Sequence, residues 1–186
     1  MTHYIDIHLR RDPEFSAQHL LAALYAKLHR ALVQLKSDNI GVSFPALNSG
    51  SRLGEQLRLF GPVAALDKLV SQDWLTGMRD HVTVGNLVPV PTLAQHRPLR
   101  RVQAKSSPER LRRRQMKRHG LTEAQARAQI PDSVVERLDL PFVQLTSAST
   151  GQPFRLYLRL GPPQSAMTTG HFNAYGLSAT ATTPCF

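Results

Sequence analysis

Eight histidines, a knot of hydroxyl residues at 147–152 and one dense run of arginines are the parts of this chain whose residue types could do chemistry. The histidines invite a metal, but no two stand four apart on a predicted helix, there is no Cys-x-x-Cys, and the single Cys185 cannot build a structural zinc site. There is no Walker loop and no GxGxxG, so neither a metal nor a nucleotide cofactor is expected. What remains is proton transfer and hydroxyl chemistry. His29, in the helical segment AKLHRAL, carries an imidazole whose ordinary pKa of about 6.5 allows proton exchange near neutrality. A ribose 2′-hydroxyl attacking its own phosphodiester needs that exchange and needs no metal. The plainer alternative, a helix-surface histidine without a role, is the stronger one on spacing alone. Ser147 to Gln152 offers Ser147, Ser149 and Thr150 as partners for phosphate or ribose, and the same residues are ordinary turn formers. Phe154 supplies a ring for a base or for the core. Arg101 and Gln103, two apart on a predicted strand, share a face that could read base edges or simply meet solvent.

The basic run is more pointed. In SSPERLRRRQMKRHG, Ser107 suits an N-cap, Pro108 the first helical position, Glu109 the positive helix start and Gly120 a left-handed C-terminal cap, which predicts a helix over 108–119. Arg110, Arg113, Arg114, Lys117 and Arg118 recur at i, i+3, i+4, i+7 and i+8 and form one cationic stripe, while Leu111, Gln115 and Met116 point elsewhere. Each like-charge pair three or four apart opposes an isolated helix by about 0.2–0.5 kcal/mol, so the face calls for an anionic partner. A merely solvated face would mix in acids, and none follows Glu109 within the helix. The whole chain agrees: Lys and Arg number 23 against 13 Asp and Glu, a net charge of +10 that favours nucleic acid or another anionic surface.

These residues need a scaffold, and 186 residues with 41% hydrophobic content can build one. Tyr4 to Leu9 alternate as a half-buried strand does, and Ser16 caps a helix to about Leu35 with leucines at 20, 21, 24, 28, 32 and 35 on one stripe. Strands at Ile40–Leu47 and Arg52–Phe60 flank a hairpin loop, a second helix starts at Pro62, and a short strand falls within Val82–Val90. The order βαββαβ predicts a ferredoxin-like domain over 1–93. Prolines at 89, 91 and 98 mark a boundary, with a second α+β domain over 94–186. Its expected elements are a strand at Leu99–Lys105, the basic helix, a helix at Thr122–Ile130, and strands at Phe142–Thr146, Phe154–Leu160 and His171–Leu177. Residues from Ala179 show little pattern. The chain start has no charged, then apolar, leader pattern and no stretch is long and apolar enough to span a bilayer, so a cytoplasmic protein without membrane contact is expected.

Taken together, the pieces resemble the CRISPR RNA-processing endoribonuclease family of the type I-F system. The likeness rests on HYIDIHLR with DPEF, AKLHRAL, IGVSFP, SRLGEQLRL, the long RVQAKSSPERLRRRQMKRHGL followed by IPDSV, LDLPFVQL, STGQPFRLYLR and AYGLS. It runs nearly end to end, departing in the tail from Ala179 and at Lys117, where the family pattern suggests arginine. The resemblance implies a ferredoxin-like domain, a C-terminal RNA-binding domain, and the hairpin of a CRISPR repeat as substrate and retained product. It implies cleavage at the 3′ base of that hairpin, leaving a 2′,3′-cyclic phosphate, and assembly with other subunits of a surveillance complex. By the same resemblance His29 transfers the proton, Ser147 holds the attacking ribose, and Ser149 and Tyr175 support them. Phe154 lies against the base pair closing the stem, and Arg101 and Gln103 meet bases near the cut. Arg110, Arg113, Arg114, Lys117, Arg118 and His119 bring the basic helix to the major groove. Two rivals share the basic helix: a non-catalytic hairpin-binding subunit, and an architectural protein that binds duplexes.

Overall fold

The protein is described by a computed structural model covering residues 1–103, 108–131 and 138–186. Strand β1, His3–Leu9, buries Ile5, Ile7 and Leu9 and turns Tyr4, Asp6 and His8 to the other side, as the alternation predicts. Helix α1, Ala17–Leu35, starts where the Ser16 side chain accepts the His19 N–H at 3.2 Å and stops at Lys36, which adopts a left-handed φ of 50°. Strands β2, Gly41–Ser43, and β3, Gln56–Gly61, then pair antiparallel, helix α2, Val63–Val70, follows, and β4, Val82–Val84, closes the series. The sheet order is β2-β3-β1-β4, with antiparallel contacts throughout. This is the ferredoxin-like arrangement of an α+β protein.

Several expected boundaries move for local reasons. β2 ends at Ser43 because Pro45 opens a 3-10 turn, Pro45–Asn48. The single strand expected in Val82–Val90 is two pieces, since β5, Val88–Pro89, returns to β1 at His3 and Tyr4. The proline-rich stretch is not wholly irregular either: β6, Gln95–Arg97, pairs with β10, Thr183–Cys185, in the tail that showed no pattern. Phe186 beyond it meets Tyr4 edge-on, with ring centroids 5.1 Å apart.

Strands β7, Leu99–Val102, β8, Phe142–Thr146, and β9, Pro153–Leu160, form a second sheet in the order β7-β9-β8. Its Val143, Leu145, Leu156 and Leu158 join one continuous core with the leucines of α1 and with Ile5, Ile7, Leu57 and Leu59 of the first sheet, and α1 packs on β8. Each fully buried leucine contributes about 1.5–3 kcal/mol, so the shared core outweighs chain order. By packing, residues 1–101 and 140–186 make one compact unit and residues 102–139 another.

The smaller unit holds α3, Pro108–His119, and α4, Glu123–Gln129. α3 has the predicted bounds, and Gly120 beyond it has a φ of 63°. The predicted N-cap Ser107 and the last residues of the strand expected to reach Lys105 lie outside the described residues. Thr122 and Gln125 form a capping box at the start of α4. Arg112, off the cationic stripe, is buried and donates through Nε and Nη2 to the Ile130 carbonyl at 2.8 and 2.6 Å, which ties the two helices together.

Candidate active site

His29 is set by α1, whose buried stripe points Leu24, Leu28 and Leu32 into the core and leaves the imidazole half-buried between buried Tyr25 and exposed Val33. Its Nδ1 lies 2.8 Å from the carbonyl oxygen of Ala174. A carbonyl oxygen only accepts, so Nδ1 carries a proton, and Nε2 is the ring position that takes or releases one. The imidazole also stacks on the Tyr175 ring, with centroids 3.9 Å apart and planes 7° from parallel. Two contacts thus orient the ring from residues about 145 positions away in sequence.

The loop that supplies both contacts is a turn where a strand was expected. Residues 171–177 do not extend because the Asn173 side chain accepts the N–H groups of Tyr175 and Leu177 at 2.8 and 3.2 Å and bends the chain on itself. Gly176 completes the bend with a φ of 68°, and a Cβ there would meet Cγ1 of Val42 at 2.5 Å, so both conformation and space demand glycine. The buried Tyr25 hydroxyl donates to the Tyr175 carbonyl at 2.7 Å. Burial pushes the Tyr25 pKa upward, so it stays protonated and keeps donating. Asn173, Tyr25 and the Ala174 carbonyl were not singled out from sequence. The Asn-Ala-Tyr-Gly run, with Asn and Gly three apart, carried the available signal.

The hydroxyl cluster sits at the turn between β8 and β9, where Ser147 N donates to the Gln152 carbonyl at 2.9 Å and Gly151 N to the Ser147 carbonyl at 2.8 Å. Inside that turn the Ser147 and Ser149 hydroxyls are 3.1 Å apart, Ser147 half-buried and Ser149 exposed. Phe154 pairs with Leu145 across β8 and β9 and lies half-buried against the core, and the Arg101 guanidinium carbon stands 5.8 Å from its ring centroid. The ring therefore packs against the core and also has a cation near it. β7 stops at Val102, so Gln103 follows the strand rather than sharing its face with Arg101. On α3, the side chains of Arg110, Arg113, Arg114, Lys117, Arg118 and His119 are all exposed. Leu111, Gln115 and Met116, on the other faces, are half-buried.

A family model described as CRISPR-associated protein (Cas_Csy4) matches residues 4–186. The chain belongs to the Cas_Csy4 family. Among curated proteins it is similar to the CRISPR-associated endonuclease Cas6/Csy4 of Pseudomonas aeruginosa (strain UCBPP-PA14), at 52% identity over 187 residues. It is also similar to the CRISPR-associated endonuclease Cas6/Csy4 of Escherichia coli (strain UTI89 / UPEC), at 44% identity over 186 residues. Both comparisons span the full length of both chains. The match extends through residue 186, and in this Cas_Csy4 family member the tail carries a short paired strand, Thr183–Cys185, with Ala181, Thr182 and Thr183 buried. Among the described residues no helix is long and apolar enough to cross a membrane, and no group of three or more His, Cys, Asp or Glu side chains is placed to hold a metal ion.

Proposed function

We propose that the chain is an endoribonuclease that cuts CRISPR precursor RNA at the 3′ base of the repeat hairpin. The 2′-oxygen preceding the scissile phosphate attacks it, the bond to the 5′-oxygen breaks, and a 2′,3′-cyclic phosphate and a 5′-hydroxyl result. One proton leaves the nucleophile and one reaches the leaving oxygen, and His29 Nε2 handles that exchange. The observation that carries this reading is the His29 ring itself, tautomer set by the Ala174 carbonyl and orientation set by Tyr175. Ser147, with Ser149 beside it, holds the attacking ribose in line. The exposed cations of α3, with His119, neutralise stem phosphates, while Arg101, Gln103 and Phe154 meet the bases next to the cut. Residues 1–93 and 94–186 are in this view functional halves, one bearing the proton-transfer residue and the other the RNA contacts. The product stays bound and enters a type I-F surveillance complex in the cytoplasm. The relatives named as endonucleases favour this reading over a binding subunit without catalysis.

The direct test is single-turnover cleavage of a repeat hairpin by purified protein in EDTA. Cutting proceeds undiminished in the chelator, and a 2′-deoxy substitution at the cleavage nucleotide abolishes it because the nucleophile is gone. Dependence on added metal, or cleavage of the deoxy substrate, overturns the mechanism.

Phe154 has a half-buried packing role, so its RNA role is best isolated with Phe154→Leu, which keeps apolar contact and removes the aromatic plane. Base stacking on an aromatic ring is worth about 1–3 kcal/mol, so hairpin Kd rises at least about five-fold while the melting temperature changes little. Wild-type affinity in this variant assigns Phe154 to the core alone.

A further inference from the structure

The second sheet has two faces, and the site described above uses only one. Val143 and Leu145 of β8 and Leu156 and Leu158 of β9 are buried toward the core, so the alternation of the strands turns Phe142, Gln144, Arg155, Tyr157 and Arg159 outward. The register places Phe142 opposite Tyr157 and Gln144 opposite Arg155. The Phe142 and Tyr157 rings meet edge to face with centroids 5.6 Å apart, and the Arg155 guanidinium carbon lies 4.6 Å from the centroid of Phe142. Arg155, Arg159 and Gln144 are exposed, the two rings half-buried. None of β7, β8 and β9 contains an Asp or Glu. A face with two arginines, two aromatic rings and no strand carboxylate is complementary to a flexible polyanion with flat groups to stack. Single-stranded RNA has both properties: its phosphates pair with the cations and its bases stack on rings or on guanidinium planes.

We propose that this outward face of β8 and β9 binds single-stranded RNA flanking the hairpin. The proposal rests on the hairpin-cleaving reading above and extends its substrate beyond the stem. Phe154 shares the inward side with Leu145 and Leu156, so this face is distinct from the one assigned to the base of the stem. Arg155 and Arg159 supply phosphate contacts, and Tyr157 and the Arg155 plane supply stacking.

The test compares a bare repeat hairpin with the same hairpin carrying single-stranded extensions on both sides, each 2′-deoxy at the cleavage nucleotide, by measuring Kd across a salt series with the full chain. In wild type the extensions tighten binding and steepen the salt dependence, by about 0.7 log units per log unit of salt for each single-strand phosphate neutralised. The double variant Arg155→Gln/Arg159→Gln, with both changes at exposed positions, loses that gain in slope while binding the bare hairpin and cutting an all-ribose hairpin as wild type does. Tyr157→Leu, which retains apolar bulk, weakens the extended RNA at least about five-fold and leaves the bare hairpin unaffected. Equal affinity of wild type for bare and extended RNA overturns the proposal, as does a double variant that weakens both RNAs equally or neither. In those cases the bare hairpin is still bound and cut. A wild type that neither binds nor cuts the bare hairpin instead removes the reading on which the proposal stands.

Discussion

Replacing His29 with alanine leaves hairpin affinity within a few-fold of wild type and slows single-turnover cleavage by about 10²–10⁴, the usual share of general acid–base catalysis. On the proposed reading binding and cutting separate, because that reading assigns the affinity to the cations of α3, which are exposed, whereas a neutral imidazole adds almost nothing to phosphate neutralisation. The alanine also changes more than the proposed proton-transfer group: the ring meets the Ala174 carbonyl and stacks on Tyr175, so its loss takes two contacts from the 172–177 turn. His29→Asn separates the two effects. Its amide N–H can still donate toward the Ala174 carbonyl but cannot exchange a proton near neutrality, so it is expected to cut as slowly as the alanine variant. Near wild-type cleavage by His29→Asn shows that the ring only positions the loop, and undiminished cleavage by both variants removes His29 from the reaction.

Arg58→Ala is expected to cost about 3–5 kcal/mol of stability, which for a chain of this size lowers the melting temperature by about 6–20 °C. Arg58 on β3 stands directly opposite Asp6 on β1 and donates to both carboxylate oxygens, Nε at 2.6 Å and Nη2 at 2.8 Å, with side-chain exposures of only 10% and 19%. Its guanidinium carbon also lies 4.6 Å from the Tyr4 ring centroid and 4.2 Å from that of Phe186. Removing the arginine strands a largely buried carboxylate and loosens the tail at once, and the low end of the range applies to the extent that water reaches Asp6. Arg58→Leu combined with Asp6→Leu recovers most of the loss, because no unpaired charge is left behind. Thermal unfolding of the three proteins checks this: a loss below about 1 kcal/mol in Arg58→Ala means that the pair behaves like an ordinary surface bridge.

Signals confined to one turn or one strand were legible in the residues themselves. The alternation of Tyr4 to Leu9, the leucine stripe of α1 under its Ser16 cap, and the Pro108 and Gly120 bounds of the basic helix each depend on groups a few positions apart, and each is observed. So is the βαββαβ order, because short loops leave few ways to join amphipathic elements. The orienting of His29 was not legible. Spacing alone favoured an idle surface histidine, and the stretch holding Tyr175 resembled a strand, since its alternation was visible while the Asn173 side chain that captures two backbone N–H groups was not.

The amino-acid sequence by itself determined the main helices and the strands whose alternation is unbroken, where α3 begins and ends, and that its cations share one stripe. These follow from backbone period, cap chemistry and charge, all local. Only the tertiary structure decided that β8 and β9 share a core with the first sheet, that the tail pairs with β6, and that Tyr175 lies flat against His29 with the Ala174 carbonyl on Nδ1. Those contacts join residues up to about 146 positions apart. They exist because burying the leucines of α1 against Val143 and Leu145 brings distant segments together, and no local period records which partner the core will select.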